Sequence, residues 1–368
     1  MASSTLRRAL LYVPASSERM LKKSLSLTVD NITYDLEDSV TPSAKADARA
    51  ALRRHLQSQT GGKPASIGEF AARINAVSTP HALADLTALA DLDAVDAIVV
   101  PKVNSASDLT FVTDVLRHVA PARHPTTTTA TTTTTTSPLS LSSSSSFSQP
   151  LTPSPTPTTQ ALQPPSPSPP QPATTKPPIT ILALIESALA ITNLRSICAS
   201  TPYLGGLIFA AEDFALDLSL TRTPSLTEFL YARGAVATHA RAAGLGSTID
   251  LVCTSYRGEA GLAALRDECA NGRGMGFNGK QCIHPSQVDI VQRMFAPAEA
   301  EVEWAVRVVI ADEKAAAAGR GAWTLDGKMI DAPVAGKART VVAKAERCGF
   351  NVQAIRQKWQ HQEPEWSV

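Results

Sequence analysis

The sequence predicts a (β/α)8 barrel, and three observations support this fold class. Eight short apolar runs alternate with stretches of helical spacing along most of the chain. The runs are almost continuously apolar, which is typical of parallel strands that are buried on both faces. Polar residues gather where the runs end, which is the edge where barrel enzymes carry their active sites. A doubly wound open sheet is the alternative, but no GxGxxG motif follows the first run.

Each predicted strand is a short, largely apolar segment that is bounded by polar or turn-forming residues. The runs are RALLYVP (8–14), NITYDLED (31–38), AARINAV (71–77), AIVVPKV (97–103), ITILALIES (179–187), GGLIFAAED (205–213), STIDLVCT (247–254) and GMGFNGKQCIHP (274–285). The polar residues at their ends are Asp35, Glu37, Asp38, Arg73, Asn75, Lys102, Glu186, Glu212, Asp213, Lys280 and His284. We expect these side chains to share one rim of the barrel.

Helices are predicted between the strands from apolar residues three or four apart. Segments 43–56 and 105–119 begin with Ser, and segment 225–244 ends in Gly, as helices commonly do. Beyond the barrel, 297–319 has the spacing of a long amphipathic helix. The sequence AWTLDGKMIDAP and a last helix follow it, so 296–368 form a helical extension that packs on the barrel or reaches a neighbouring subunit.

Residues 124–178 are rich in Ser, Thr and Pro and offer few apolar groups for burial. Such a segment cannot offset the entropy lost on ordering, so it is predicted to be a disordered insertion. It divides the barrel into residues 1–123 and 179–295. It follows a helix and precedes a strand, which places it in an αβ loop, away from the rim that carries the polar residues.

The composition excludes several classes of protein. The chain has 368 residues, a net charge of +1 and a pI near 7.7, which indicate neither nucleic-acid nor membrane binding. Its five cysteines lack CxxC spacing, which favours a reducing compartment and no disulfide framework. The start MASSTLRRALLYVP carries Ser, Thr and Arg but no acid, a weakly transit-like composition. We expect a mitochondrial protein, with a cytoplasmic location as the alternative.

Glu186 and Asp213 end consecutive predicted strands and form the first candidate site. Neighbouring parallel strands lie about 4.8 Å apart, so the two carboxylates can share one cation. Oxygen ligands without cysteine favour Mg²⁺, with Mn²⁺ as the alternative ion. The competing interpretation is a pair of helix N-caps.

Basic residues form the other candidate contacts. Arg73 suits a carboxylate or thioester oxygen, although an internal ion pair with Asp35, Glu37 or Asp38 is the alternative. Arg19, Lys22 and Lys23 share a helical face that could bind phosphates or remain solvated. His284 precedes a proline and is either a ligand contact or structural.

Eight motifs in order make the chain resemble the citrate lyase β-subunit family of Mg²⁺-dependent aldolases and acyl-CoA lyases. They are LYVPASSERMLKK, YDLEDSV, RIN, VVPKV, LALIES, AAEDF, GFNGKQCIHPSQ and DGKMIDAP. The resemblance implies that Glu186 and Asp213 bind Mg²⁺ and that Arg73 contacts the substrate. It further implies contacts to coenzyme A or the substrate by Tyr12, Arg19, Lys23, Ile283 and His284. The resemblance also implies that Asp331 is the catalytic acid/base and that an adjacent subunit of a homotrimer supplies it.

The activity implied by this resemblance is retro-Claisen cleavage of a 3-hydroxyacyl-CoA, with citramalyl-CoA giving acetyl-CoA and pyruvate. Coenzyme A is then part of the substrate. The alternatives within the same chemistry are malate synthase-type condensation and cleavage of malyl-CoA or citryl-CoA. An aldolase for a free hydroxy-keto acid and a carboxylating phosphoenolpyruvate enzyme are further alternatives, and a non-catalytic scaffold is the alternative outside enzymes.

Overall fold

The computed structural model describes residues 5–59, 61–124 and 178–365. The predicted insertion lies outside them apart from its two end residues, and its disorder stays a prediction. The described residues belong to one compact unit. No helix among them is long and apolar enough to cross a membrane.

Eight parallel strands close into a barrel in chain order, because β1 pairs with both β2 and β8. This closure confirms the predicted barrel and excludes the open sheet. The strands are β1 Ala9–Pro14, β2 Val29–Asp35, β3 Ile67–Arg73, β4 Ala97–Val100, β5 Thr180–Ile185, β6 Leu204–Phe209, β7 Ser247–Asp250 and β8 Gly279–Cys282. A Cβ at Gly279 would stand 2.0 Å from the carbonyl oxygen of Arg7, so only glycine permits the close approach of the chain at this seam.

Helices follow the strands around the outside of the barrel. They are α1 Glu18–Ser24, α2 Lys45–Gln57, α3 Ala82–Leu89, α4 Ala106–Val119, α5 Ala188–Thr192, α6 Leu194–Cys198, α7 Ala211–Leu218, α8 Leu230–Ala242, α9 Gly258–Gly274 and α10 Pro285–Phe295. The predicted helices at 43–56 and 105–119 are confirmed as α2 and α4. The predicted helix at 225–244 becomes α8 after a 3-10 turn at Thr227–Phe229.

The barrel interior is a packed core, as the alternation of side chains along each strand requires. Its apolar layer consists of Leu10, Ala71, Ala97, Val99, Leu182, Leu184, Ile208 and Ile249. At the N-terminal end, Arg7 donates two hydrogen bonds of 2.6 Å to Glu69, and both residues are buried. The interior below the C-terminal mouth is therefore filled, and a ligand must bind above it.

The C-terminal extension has its own small apolar core, which includes Val306, Trp323 and Val342. Its elements are α11 Glu299–Ala317, β9 Trp323–Leu325, β10 Lys328–Ile330, α12 Ala332–Arg347 and α13 Val352–Lys358. The two short strands are joined by Asp326 and Gly327, whose φ angles of 50° and 73° identify a two-residue turn of the type that Asp-Gly favours. The extension therefore presents a well-defined hairpin directly before Asp331.

Two of the polar residues assigned to the rim are placed elsewhere, and that prediction is wrong for them. Lys280 lies within β8, is fully buried, and pairs outward with Glu268 of α9 at 2.9 Å. Asn75 donates to Asp85 of α3 at 2.6 Å. The side chains of a strand alternate between its two faces, so a polar residue near a strand end reaches the mouth only at the inward positions.

Candidate active site

The last residues of β2 and β3 meet at the C-terminal mouth of the barrel. Asp35 and Arg73 are register partners, so their side chains leave neighbouring strands side by side. The Arg73 guanidinium donates from Nε and Nη2 to the two carboxylate oxygens of Asp35 at 2.7 and 2.8 Å. Asp35 also accepts the backbone N–H groups of Glu37 and Ser39. The bidentate pair fixes the plane of the guanidinium.

Three further groups surround Arg73. Its Nη1 lies 3.1 Å from Glu37 and 3.3 Å from Asp38, and its guanidinium stacks 4.7 Å from the ring centre of Tyr12. Burial alone would lower the pKa of Arg73, but Asp35 and its other neighbours outweigh burial and raise it. Arg73 therefore remains charged. The internal ion pair left open by the sequence is present, and Arg73 still lines the cavity at the mouth.

Lys102 brings three carboxylates together. Its Nζ lies 3.1 Å from Asp213 Oδ1, 3.5 Å from Glu37 Oε1 and 3.5 Å from Glu186 Oε2. Burial alone would lower the pKa of Lys102, but the carboxylates more than compensate and raise it. The predicted pair Glu186 and Asp213 thus contacts one ammonium, and its role as a metal site stays a prediction.

The location predicted for Asp213 is wrong in one respect. β6 ends at Phe209, and Asp213 lies in the first turn of α7, not at the strand end. Acidic residues are favourable at a helix N-terminus because they face its partial positive charge. Glu186 directly follows β5 as predicted. The two carboxylates come from neighbouring βα units, one from a strand end and one from a helix start.

Two buried carboxylate oxygens at the mouth have no hydrogen bond among the described residues, Oε2 of Glu37 and Oε1 of Glu186. Oε2 of Glu37 lies 3.1 Å from Arg73 Nη1 in an ion pair. Burial is the main cause that raises the pKa of Glu186, and it outweighs Arg73 to raise the pKa of Glu37 to about 8. The site is therefore short of positive charge, which fits a divalent cation held by Glu186 and Asp213.

Two cavities adjoin at the mouth. The first, of about 440 Å³, is lined by Asp35, Asp38, Arg73, Glu212 and Asp213 among others, and we call it the acidic cavity. The second, of about 550 Å³, is lined by Arg19, Lys23 and His284 among others, and we call it the basic cavity. Tyr12, Pro14 and Ile283 line both cavities. One elongated ligand can therefore reach both cavities.

The basic cavity unites five of the residues predicted to contact substrate or coenzyme A, namely Tyr12, Arg19, Lys23, Ile283 and His284. Lys22 was grouped with Arg19 and Lys23, but it lines a separate groove between α1 and α2. On this short helix, positions 19 and 23 are a full turn apart and share a face more closely than position 22 does.

His284 combines both roles considered from the sequence. Its Nδ1 accepts the backbone N–H of Ser286 at 3.2 Å and so caps the start of α10. Its ring stacks on Tyr256 with 4.8 Å between ring centres. The residue is structurally held and also lines the basic cavity.

Asp331 lies apart from the two cavities in this chain. It follows β10 and caps α12 by accepting the Val334 N–H at 3.1 Å. It is not a lining residue of either cavity as the described residues form them. The structure of one chain therefore does not bring Asp331 to the predicted site.

Apart from a possible ion pair of Glu37 with Arg73, sequence reasoning assigned no role to three residues that the structure brings to the site. They are Lys102, Glu37 and Gln281. The first two follow strands that end in polar residues, which is a signal of location but not of function. Gln281 accepts the Tyr12 hydroxyl hydrogen bond at 3.0 Å from an inward position of β8.

Comparison with known proteins identifies relatives over most of the chain. The family model described as HpcH/HpaI aldolase/citrate lyase matches residues 8–285. A protein named (3S)-malyl-CoA thioesterase from Cereibacter sphaeroides is 31% identical over 92% of this chain and 94% of its own. The mitochondrial citramalyl-CoA lyase of Homo sapiens is 28% identical over 92% of this chain and 85% of its own.

The fold is also found among solved structures. Protein CitE from Mycobacterium tuberculosis, in complex with magnesium, acetoacetate and coenzyme A, is 22% identical with a TM-score of 0.61. The match covers 95% of this chain and 99% of that one.

Proposed function

The chain belongs to the HpcH/HpaI aldolase/citrate lyase family, and on that premise we propose that it is a Mg²⁺-dependent carbon–carbon lyase for a 3-hydroxyacyl-CoA. Citramalyl-CoA is the substrate we favour, with acetyl-CoA and pyruvate as products. One observation carries the proposal. The acidic cavity with Arg73 and the basic cavity with Arg19 and Lys23 share a wall, formed in part by Tyr12 and Ile283.

The shape of such a substrate matches this pair of cavities. The acidic cavity would receive the hydroxy acid, while the phosphates of coenzyme A would meet Arg19 and Lys23. Lysine and arginine bind phosphates as a point charge and as a planar fork, respectively. A free hydroxy acid would leave the basic cavity without a use.

Two relatives support the class of substrate. One relative is named a citramalyl-CoA lyase and another a malyl-CoA thioesterase, so both names concern hydroxyacyl-CoA esters. The structurally similar CitE was crystallised with magnesium and coenzyme A. We extend these ligands to the present chain because its own charged residues fit them.

Glu186 and Asp213 would hold the metal, since both carboxylates lie within 3.5 Å of the same Lys102 ammonium and one buried oxygen of Glu186 has no hydrogen bond. Mg²⁺ bound there would supply a Lewis acid for the hydroxyl and carboxylate oxygens of the substrate. Mn²⁺ suits the same oxygen ligands.

The chain's own residues would divide the remaining steps. A base would take the proton of the substrate hydroxyl, the C=O of pyruvate would form as the C–C bond breaks, and the electron pair of that bond would leave with the thioester as an enolate. Arg73 would stabilise the negative oxygen of that enolate, since its charge is fixed in the mouth by Asp35. Asp331 would then protonate the enolate carbon to give acetyl-CoA.

We further propose that this Asp331 comes from a second copy in a homotrimer. In one chain Asp331 does not line the cavities formed by the described residues. Asp331 directly follows the hairpin that contains the Asp326–Gly327 turn, and the Met329 side chain of this hairpin is 67% exposed. A second copy would have to bring Asp331 to the cavities.

The deciding experiment incubates the purified full chain with citramalyl-CoA, malyl-CoA and citryl-CoA, with and without Mg²⁺, and identifies products by mass spectrometry. Acetyl-CoA and pyruvate from citramalyl-CoA, only with Mg²⁺, are expected. Free coenzyme A with an intact hydroxy acid would instead identify a thioesterase. No turnover of any ester, and no joint rise in melting temperature with Mg²⁺ and acetyl-CoA, would leave the scaffold alternative.

A matched pair of variants tests the metal assignment in the same assay. Asp213→Asn should abolish Mg²⁺-dependent turnover. Glu212→Gln removes the neighbouring charge, whose partner is Arg222 and not Lys102, and should retain turnover far better. Full activity of Asp213→Asn would contradict the assignment.

A further inference from the structure

Lys102 has an unusual backbone conformation for its residue type. It lies two residues beyond β4, and its φ of 51° falls in the left-handed region. A non-glycine residue there is uncommon and carries an energetic cost that the surroundings must offset. Such a residue merits a functional explanation, and its position among three carboxylates offers one.

Two of the three carboxylates around Lys102 are far more buried than it is. The side chains of Glu37 and Glu186 are 7% and 5% exposed, whereas those of Lys102 and Asp213 are 41% and 40% exposed. The ammonium therefore reaches the buried carboxylates from the solvent side. It can withdraw without crossing the packed interior, while Glu37 and Glu186 stay in place.

Glu37 faces the same ammonium as Glu186 and Asp213. Its Oε1 lies 3.5 Å from Lys102 Nζ, its Oε2 makes no hydrogen bond but lies 3.1 Å from Arg73 Nη1, and Oε1 of Glu186 is buried without a hydrogen bond. Unpartnered buried carboxylate oxygens are costly and need a reason. The neighbouring Asp38 contacts Arg73 but makes no ion pair with Lys102 within 4.0 Å.

We propose that Glu37 contributes a third carboxylate to the Mg²⁺ site of Glu186 and Asp213, and that Lys102 occupies this site in the metal-free protein and withdraws when the metal binds. The inference rests on the metal site of the proposed function. As they stand, no three metal-binding side chains among the described residues are arranged to hold an ion. The ammonium of Lys102 lies among the three carboxylates.

Electrostatic repulsion disfavours a divalent ion among the three carboxylates while the Lys102 ammonium lies there. The ammonium lies 3.1–3.5 Å from the three carboxylates. A divalent ion held between the same groups would meet this positive charge at close range, where repulsion is strong. Lys102 thus keeps the carboxylates together before loading, and it lowers the affinity for the metal.

The test measures Mn²⁺ binding to the full chain after removal of metals, by the electron paramagnetic resonance signal of free Mn²⁺. Glu37→Gln should weaken binding about tenfold, and Lys102→Met should tighten it about tenfold, because each changes one charge beside the ion. Asp38→Asn is the matched control. It removes a carboxylate from the same mouth and should change the dissociation constant by less than about threefold.

Three results would overturn the inference. These are wild-type affinity in Glu37→Gln, unchanged or weaker binding in Lys102→Met, and equal losses in Glu37→Gln and Asp38→Asn. Circular dichroism of each variant without metal checks folding, and the Lys102→Met result decides if Glu37→Gln is unfolded. Asp213→Asn separates the two proposals. If it binds Mn²⁺ like wild type, the metal site of the proposed function itself is wrong.

Discussion

Replacing Asp35 with Asn is expected to destabilise the chain by about 3–5 kcal/mol, the range seen when one partner of a buried ion pair is removed. Asp35 is 1% exposed and accepts four N–H groups, two from Arg73 and two from the backbone. Asn offers one oxygen, and its NH₂ group would face donors. The two charge-assisted bonds to Arg73 are worth about 1.5–3 kcal/mol each, which agrees with the total.

Urea denaturation monitored by circular dichroism measures this cost, and Asp38→Asn is the control. Asp38 also contacts Arg73, but at 3.3 Å and with a side chain 56% exposed, so its loss should cost about 0–1 kcal/mol. Equal destabilisation by the two variants, or wild-type stability of Asp35→Asn, would refute the assignment of Asp35 as the residue that holds Arg73. Turnover of Asp35→Asn should fall about a hundredfold, because Arg73 loses its fixed orientation.

The difference in stability between the wild type and Asp35→Asn should also depend on pH. Arg73 and the hydrogen bonds outweigh burial and lower the pKa of Asp35 below its ordinary 3.8. A carboxyl with a lowered folded-state pKa adds stability above its unfolded pKa and loses it as pH falls through the folded value. The stability gap between wild type and Asp35→Asn should therefore be constant at neutral pH and narrow below about pH 3.8.

Three other predictions concern separate parts of the chain. Asp331→Asn should retain stability, because Asn caps helices as well as Asp. Its turnover should fall about a hundredfold while coenzyme A binding is unchanged. Mixing it with an inactive Arg73→Ala variant should restore activity, and no recovery would argue against sites shared between subunits. Arg222→Met should destabilise by about 1–3 kcal/mol in urea, since Glu212 of α7 loses its ion pair and Glu268 of α9 keeps only Lys280. Arg222→Lys should not restore both contacts. Burial lowers the pKa of His55, so the folded chain binds fewer protons there than the unfolded chain and loses stability as the pH falls below about 6.5. In His55→Gln the melting temperature should therefore change less between about pH 7 and 5 than in the wild type. An unchanged dependence of melting temperature on pH would contradict this.

The barrel and much of its mouth could be predicted because strand ends are visible in sequence. Asp35, Arg73 and Glu186 each stand at or directly after an apolar run, and parallel strands bring such ends to one edge. Asp213 was misplaced because GGLIFAAEDFALDL continues from strand to helix without a turn residue. Lys280 was misplaced because β8 has only four residues, too few to reveal which of them face inward.

The convergence on Lys102 was beyond sequence reasoning for a different reason. VVPKV reads as a strand that ends in a lysine, and nothing in it indicates a positive φ at residue 102. The three carboxylates that meet Lys102 come from three separate βα units. Their meeting depends on closure of the barrel and on one backbone angle, neither of which a local pattern contains.

Tyr12 links the two halves of the proposed site through a chain of contacts. Gln281 donates to the backbone oxygens of Phe209 and Asp250, which fixes its amide so that its oxygen accepts the Tyr12 hydroxyl at 3.0 Å. The Tyr12 ring in turn stacks with the Arg73 guanidinium and lines both cavities. Tyr12 would therefore contact a coenzyme A ester, and the same ring packs against the Arg73 guanidinium at the acidic cavity. Substrate binding and charge stabilisation share one anchored side chain, which favours a function that uses both cavities at once.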